Sequence, residues 1–212
     1  MQKINAPGLS NGGLHNVCVY CGSGPGRDPV YAGAARALGE QLARAGVGLV
    51  YGGGSLGLMG EVAKSVLAHG GRVTGIIPAF LSAREQMLKD ASELLVVDDM
   101  HQRKMLMFQR SDAFVALPGG IGTLEELVEQ LTWAQLGQHA KPIVVANIAG
   151  FWSPFLSMLE HMRDELFIRQ SLEVRFLVVE TADEILPAIR SAMPPVDDAA
   201  EAMAEAAVVE KF

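Results

Sequence analysis

The stretch AFVALPGGIGTLEEL, Ala113–Leu127, joins a short apolar run, a glycine-rich turn and the beginning of a helix. The run AFVAL is apolar at every position, which is typical of a strand buried on both faces of a parallel sheet. Together with 113–120, similar β-rich runs, most of them followed by an amphipathic stretch, lie at 16–22, 48–54, 72–78, 93–99, 142–148 and 175–180. The sequence therefore predicts an α/β fold: a doubly wound (Rossmann-like) parallel sheet of about seven strands with helices on both faces.

The length of the chain indicates one domain. At 212 residues it can bury one substantial core, and no linker interrupts it between Asn16 and Ala192. We expect residues 1–15, which are rich in Gly and Asn, to form a flexible N-terminus. Residues 16–192 should form a single α/β domain, followed by an Ala/Glu-rich tail at 193–212.

Composition excludes several classes of protein. The net charge of −7 argues against a nucleic-acid footprint, which requires a basic surface. No apolar run approaches the ~20 residues that span a bilayer, so we expect no membrane association. The N-terminus lacks the apolar core of a signal peptide, and the sequence therefore favours a cytoplasmic protein.

Cysteine and histidine spacing gives no support for a metal or redox site. In a strand, Cys18 and Cys21 point to opposite faces and lie about 10 Å apart, whereas a disulfide requires Cα atoms within roughly 7 Å. We therefore interpret both as buried apolar residues. The five histidines show no spacing typical of metal ligands, and we expect no metal.

Glycine follows three of the predicted strands, in CGSGPG (21–26), YGGGSLGLMG (51–60) and LPGGIGT (117–123). The carboxyl ends of parallel strands meet at one edge of the sheet, where glycine lets a ligand approach the backbone and helix N-termini bind anions. One such turn alone is more often plain turn chemistry, but three together favour a phosphate site.

Two dinucleotide or nucleotide motifs can be tested against these turns. Gly52-x-Gly54-x-x-Gly57 matches the NAD fingerprint, but the next strand, RVTGIIPAF, lacks the acidic residue that would bind the ribose hydroxyls. The P-loop pattern GxxxxGK[ST] is absent from the sequence. A nucleoside monophosphate or a sugar phosphate is the better ligand, and we expect no cofactor.

Charged residues flank the turns. Asp99 can cap a helix with Gln102 as its capping-box partner, which places Arg103 and Lys104 near the glycine edge. Such a basic pair is often only a solvated helix face, although a guanidinium suits bidentate binding of an oxyanion.

Thr123-Leu-Glu-Glu126 is itself a capping-box pattern, so Glu126 could serve only as a cap. Glu125 could be a carboxylate that the helix dipole favours in the first turn.

Three motifs taken together resemble the LOG ("Lonely guy") family of cytokinin riboside 5'-monophosphate phosphoribohydrolases. These motifs are GGGSLGLMG (52–60), MHQRK (100–104) and PGGIGTLEE (118–126). The family pattern PGGxGTxxE falls on Pro118 through Glu126, and the resemblance extends from about Asn16 to Ala192. Members of the family were often labelled lysine decarboxylases, but nothing in this sequence supports pyridoxal-phosphate chemistry.

The resemblance implies hydrolysis of the N-glycosidic bond of an N6-modified adenosine 5'-monophosphate, or of AMP itself, to free base and ribose 5-phosphate. It implies that Glu126 is the catalytic carboxylate, with Glu125 as second choice, and that Arg103 orients the ribose phosphate or the catalytic groups. The implied substrate contacts are Gly119, Gly120, Gly122 and Thr123 at the 5'-phosphate, with Ser23, Gly53, Gly54, Lys104 and Glu125 lining the site.

The resemblance also implies a homodimer with a single nucleotide-binding domain. A competing reading is a non-catalytic protein that holds a nucleotide or the molybdenum cofactor, because molybdenum-cofactor carriers resemble this fold and its glycine turns. Arg103 and Glu126, which both match the enzyme pattern in register, favour the enzyme.

Overall fold

The computed structural model describes residues 13–82, 87–168 and 175–193. The strands are β1 Asn16–Tyr20, β2 Gly48–Tyr51, β3 Val73–Pro78, β4 Glu93–Val97, β5 Ala113–Ala116, β6 Ile143–Ala146 and β7 Leu177–Val179. The helices are α1 Pro29–Arg44, α2 Gly57–Ala68, α3 Ala79–Ser82, α4 Met100–Gln109, α5 Ile121–Gln135, α6 Ser153–Asp164 and α7 Ile185–Ala192. All seven predicted strands are confirmed, each shorter than the apolar run that predicted it.

The seven strands form one parallel sheet in the order β4-β3-β2-β1-β5-β6-β7. From β1 the chain winds outward to β4 and then returns to pair β5 with the other side of β1. Strand order therefore reverses between β1 and β5, and this is where ligands bind in doubly wound sheets. The predicted fold class is confirmed.

Two hydrophobic layers cover the sheet. One packs α1, α2 and α7 against one face, and the other packs α4, α5 and the aromatic residues around α6 against the opposite face. β1 supplies both layers alternately, so Cys18 and Cys21 lie in different layers, both buried as free thiols. This confirms their interpretation as core residues.

Ordered contacts begin slightly before the expected start of the domain at residue 16. Leu14 is fully buried, and the backbone N–H groups of His15 and Asn16 each donate to Asp112 at 2.8 Å. The remainder of the predicted N-terminus, residues 1–12, and nearly all of the predicted tail, 194–212, lie outside the described residues. None of the described helices is both long and apolar enough to cross a membrane.

Candidate active site

A cleft of about 290 Å³ opens above the carboxyl ends of β1 and β5. Its floor is formed by the turns Gly22–Gly24 and Pro118–Gly120, and its sides by Tyr31, Leu58 and Phe151. The Gly22 N–H donates to Pro118 O at 3.0 Å, which fastens the two turns together. The cleft thus lies at the reversal of strand order and brings the predicted residues Ser23, Gly119 and Gly120 into one place.

The glycines around this cleft fall into two kinds. A methyl group on Gly119 would overlap Oγ1 of Thr123 and approach Gly22 N at 2.9 Å, so the close packing of the two turns requires glycine there. At Gly120 and Gly122 a methyl group would meet no described atom within 4 Å. Packing against the described protein does not require glycine at these two positions, and the space above them is open to a ligand.

Gly53 and Gly54 lie to one side of the cleft, toward β3 and β4. Gly53 adopts a φ of +84°, which favours glycine, and its carbonyl accepts from Leu88 N at 3.1 Å. Gly54 forms an isolated bridge with Met87. They hold the turn after β2 in place, and their predicted contact with a substrate stays a prediction.

Helix α5 begins earlier than the capping-box pattern suggests. Its N-cap is Gly120, and the described residues offer no side-chain cap, so Thr123 lies inside the first turn and Glu126 in the second. The interpretation of Thr123 and Glu126 as a capping box is therefore wrong. Gly120 lines the cleft, so the N-terminus of α5, whose first N–H groups have no partner within the helix, lies at the edge of the cleft, which suits an anion. The cap predicted for α4 is confirmed, because Asp99 Oδ1 accepts from Gln102 N at 2.8 Å.

Arg103 is buried to 8% exposure between α4 and the end of β2. Its Nη2 lies 3.8 Å from Glu126 Oε1, its Nη1 lies 3.8 Å from Met100 Sδ, and its Nε is buried without a described partner. A buried guanidinium with contacts this long retains most of its hydrogen-bonding capacity. Arg103 is therefore not a solvated face residue, and its free donors suit a bound oxyanion.

Glu126 faces Arg103 from α5 and is nearly as buried, with 12% of its side chain exposed. Burial is the main cause that raises the pKa of Glu126 to about 7. Arg103 and Lys104 lower it, while Glu125 and Glu129 raise it further. A carboxyl group that titrates near neutral pH can exchange a proton with a substrate or water under physiological conditions.

Lys104 is tied to α5 rather than free. Its Nζ lies 2.7 Å from Glu125 Oε1 and 2.8 Å from Glu129 Oε1, and its side chain is 14% exposed. Burial opposes the charged form, but hydrogen bonds to both carboxylates outweigh it and raise the pKa of Lys104. A direct contact of Lys104 or Glu125 with the substrate stays a prediction.

This pairing does not fit pyridoxal phosphate. A lysine that forms a Schiff base is activated by a lowered pKa, whereas two carboxylates hold Lys104 as a cation. The described side chains also offer no metal site. Within the described ranges, no group of three His, Cys, Asp or Glu side chains has an arrangement that could hold an ion.

Three features of the site escaped the sequence reasoning. A methyl group on Gly52 would overlap Nη2 of Arg103, so this glycine makes room for the guanidinium. Tyr31 and Phe151 form an edge-to-face pair 5.6 Å apart beside the cleft. Glu129 joins the cluster because it lies one helical turn after Glu125 and Glu126. Of these, only Gly52 carried a local signal, as part of the triple glycine.

Comparisons with known proteins identify the family to which the chain belongs. Residues 59–189, more than half of the chain, match the family model described as "Possible lysine decarboxylase". The cytokinin riboside 5'-monophosphate phosphoribohydrolase LOG of Oryza sativa subsp. japonica is 45% identical over 181 residues, which are 85% of this chain and 75% of the relative. A cytokinin riboside 5'-monophosphate phosphoribohydrolase of Arabidopsis thaliana is 42% identical over 193 residues, 91% of this chain and 90% of the relative.

Among solved structures, the molybdenum cofactor binding protein of Rippkaea orientalis matches with a TM-score of 0.62 over 84% of this chain and 96% of the other. At 21% identity this likeness shows the fold alone. The identity to the plant enzymes is about twice as high and covers most of both chains. The chain therefore belongs to the LOG family, the cytokinin riboside 5'-monophosphate phosphoribohydrolases matched by the "Possible lysine decarboxylase" model.

Proposed function

We propose that this protein hydrolyses the N-glycosidic bond of an adenosine 5'-monophosphate, N6-modified or plain, and releases free base and ribose 5-phosphate. The observation that carries the proposal is the buried pair of Arg103 and Glu126. Neither residue lines the cleft itself, but Glu126 lies in α5, whose N-cap Gly120 does. Two relatives that are named for this reaction, and that match this chain over most of their length, support it.

The reaction requires a carboxylate at the sugar. Cleavage breaks the bond between C1' and the base nitrogen; the electron pair leaves with the base, and the ribose ring acquires oxocarbenium character. Water then bonds to C1' and gives up a proton, and the departing base nitrogen takes up a proton, so that water is divided between ribose 5-phosphate and the free base. Glu126 in its charged form stabilises the cationic ring or takes this proton, and its pKa of about 7 suits either task.

The glycine turns are the proposed phosphate site. The N-terminus of α5 is formed by Gly119, Gly120, Gly122 and Thr123. The open space next to Gly120 and Gly122 would accommodate a phosphate group. Ser23, in the adjoining turn Gly22–Gly24, lines the same cleft. Anchoring of the phosphate would hold the ribose where Arg103 and Glu126 can act on it.

The substrate's phosphate should be required for efficient turnover. We expect kcat/KM for AMP or N6-isopentenyladenosine 5'-monophosphate to exceed that for the matching nucleoside at least about 10-fold, because even one charge-assisted hydrogen bond contributes about 1.5 kcal/mol. Chromatographic detection of free base measures both rates. Equal rates would contradict the phosphate site, and binding without release of base from any nucleotide would favour a carrier.

We also propose that the protein is a homodimer. The solvent-facing side of α5 carries Ile121 and Val128, and the C-cap residue Leu136 extends it; their exposures are 82%, 41% and 65%. Spacings of seven and eight residues put them on one stripe of the helix, and such an exposed apolar stripe favours association.

A charge on this stripe should dissociate the dimer. For Leu136→Glu and Val128→Glu we expect a shift from dimer to monomer, because burial of an unpaired carboxylate is costly. Size-exclusion chromatography with light scattering measures the molecular mass. Phe167→Glu changes an apolar residue outside α5 that, at 84%, is more exposed than either, and it serves as the control. A wild-type protein that is monomeric at micromolar concentration would refute the dimer.

The proposed compartment is the cytoplasm. The chain has only two cysteines, which lie in different core layers, and therefore lacks the disulfide framework typical of many secreted domains.

A further inference from the structure

We infer that Glu129 is a positioning residue for the reaction: through Lys104 it fixes α4 against α5 so that Arg103 and Glu126 face each other. The inference rests on the proposed hydrolysis and adds to it a residue that neither the sequence motifs nor the family pattern includes.

The geometry supports a clamp between the two helices, by which we mean Lys104 of α4 with Glu125 and Glu129 of α5. Arg103 and Lys104 are neighbours on α4, and their partners Glu126, Glu125 and Glu129 lie within two turns of α5. Because neighbouring residues point about 100° apart around a helix, contacts at both positions fix the rotation of α4 as well as its distance from α5. The Lys104 contacts at 2.7 and 2.8 Å are short, whereas the Arg103 contact at 3.8 Å is long. Lys104 therefore supplies the restraint, and Arg103 remains available to a ligand.

Burial distinguishes the two carboxylates of the clamp. The Glu125 side chain is 52% exposed, so its pair with Lys104 resembles an ordinary surface ion pair of little energetic value. The Glu129 side chain is 20% exposed, and its second oxygen, Oε2, is buried without a described partner. Removing the Glu129 carboxylate from water for one short ion pair is costly for stability. We therefore interpret Glu129 as a residue that is kept because it fixes the position of Lys104.

The clamp also sets the charges around Glu126. Glu125 and Glu129 on α5 and Arg103 and Lys104 on α4 all act on its pKa. Cys18 and Tyr20 of β1 and the following residue Cys21 also face Glu126. Burial raises the pKa of each, so all three are neutral at pH 7. Loss of the Glu129 charge should therefore lower the pKa of Glu126, and loss of the Lys104 charge should raise it.

The test compares Glu129→Gln with Lys104→Met. We expect kcat to fall about 10-fold in each, since small misplacements of catalytic groups are costly, while KM for AMP changes little in Glu129→Gln. The acidic limb of the pH–rate profile should move in opposite directions, to lower pH in Glu129→Gln and to higher pH in Lys104→Met, each by about half a unit. Glu93→Gln breaks the exposed pair with Arg110, the C-cap residue of α4, and should change neither kcat nor the position of the acidic limb.

A second measurement separates this inference from the proposed hydrolysis. Carboxyl-¹³C NMR follows the titration of Glu126 directly, with the resonance assigned by its loss in Glu126→Gln. Opposite shifts of that titration in the two variants support the clamp, and shifts that are absent or of equal sign overturn it. If the wild type is active and Glu129→Gln has the same kcat, the inference is also overturned. A wild-type protein that releases no base from any nucleotide refutes the proposed hydrolysis instead.

Discussion

Glu126→Gln is expected to lower kcat at pH 8 by about 10²–10⁴-fold, the usual effect of losing a positioned general base. Gln keeps the shape of the side chain but can neither accept a proton nor place a full negative charge beside an oxocarbenium ion. AMP binding should persist, because the proposed phosphate contacts come from the glycine turns. Single-turnover release of adenine measures the chemistry, and isothermal titration calorimetry measures the binding.

Glu125→Gln is the matched comparison. It removes the neighbouring carboxylate on the same helix, but this side chain is 52% exposed and pairs with Lys104 rather than Arg103. Its effect on kcat should be much smaller. Normal turnover by Glu126→Gln would show that the catalytic carboxylate is another residue, and a larger loss in Glu125→Gln would assign that role to Glu125.

For Glu126→Gln we also expect a change in stability. Folding raises the pKa of Glu126 from 4.5 to about 7, chiefly by burial, so the folded state favours the protonated form. The stability that this group contributes is present below pH 4.5 and is lost as the pH rises through 7, by up to about 3 kcal/mol. Glu126→Gln avoids this loss. Its melting temperature should equal or exceed that of the wild type at pH 8, with the difference shrinking toward pH 5, and a lower value at pH 8 would contradict the pKa.

Much of this fold follows from local sequence signals. Strands such as AFVA in β5 and IVVA in β6 are apolar at every position because both faces of the sheet are covered, and this pattern is visible without a structure. Glycine after three strands likewise located the edge at which the cleft lies. These features depend only on burial and on turn chemistry within a few residues.

The start of α5 shows where local signals fail. Thr123-x-x-Glu126 satisfies the capping-box pattern, yet the helix begins at Ile121 after Gly120. Tertiary packing decides this, because Gly119 fits closely against both Thr123 and the Gly22 turn. The earlier start removes the capping role that the local pattern allows for Glu126, which is instead a buried carboxylate that faces Arg103.

Glu129 was missed for a related reason. It stands in LVEQL, an ordinary helical stretch, and nothing within that stretch distinguishes it from a solvated glutamate. Only the approach of α4 brings Lys104 to it. Pairing between helices is set by the packing of both on the sheet, so a single sequence does not reveal it.

Arg103→Lys is expected to lower kcat/KM about 10²–10³-fold, comparable to the loss of one preorganised donor at a developing charge. The charge is kept, but an ammonium group cannot reproduce the planar, two-pronged geometry of a guanidinium. Steady-state kinetics on AMP measure the effect, and near-native thermal unfolding would show that the fold is intact. A fully active lysine variant would mean that Arg103 supplies only charge.

Gly52→Ala tests the position of Arg103 without changing it. The added methyl group would overlap Nη2 and lie 3.2 Å from Met59 Sδ, so the guanidinium must move away from its place beside Glu126. We expect a loss of kcat/KM in the same range as for Arg103→Lys, about 10²-fold, because misplacement of an intact group is costly. Gly33→Ala in α1, where a methyl group meets no described atom within 4 Å, is the control and should retain full activity. Equal activity of the two alanine variants would show that catalysis tolerates a displaced guanidinium, and Arg103 would then lose its assigned role.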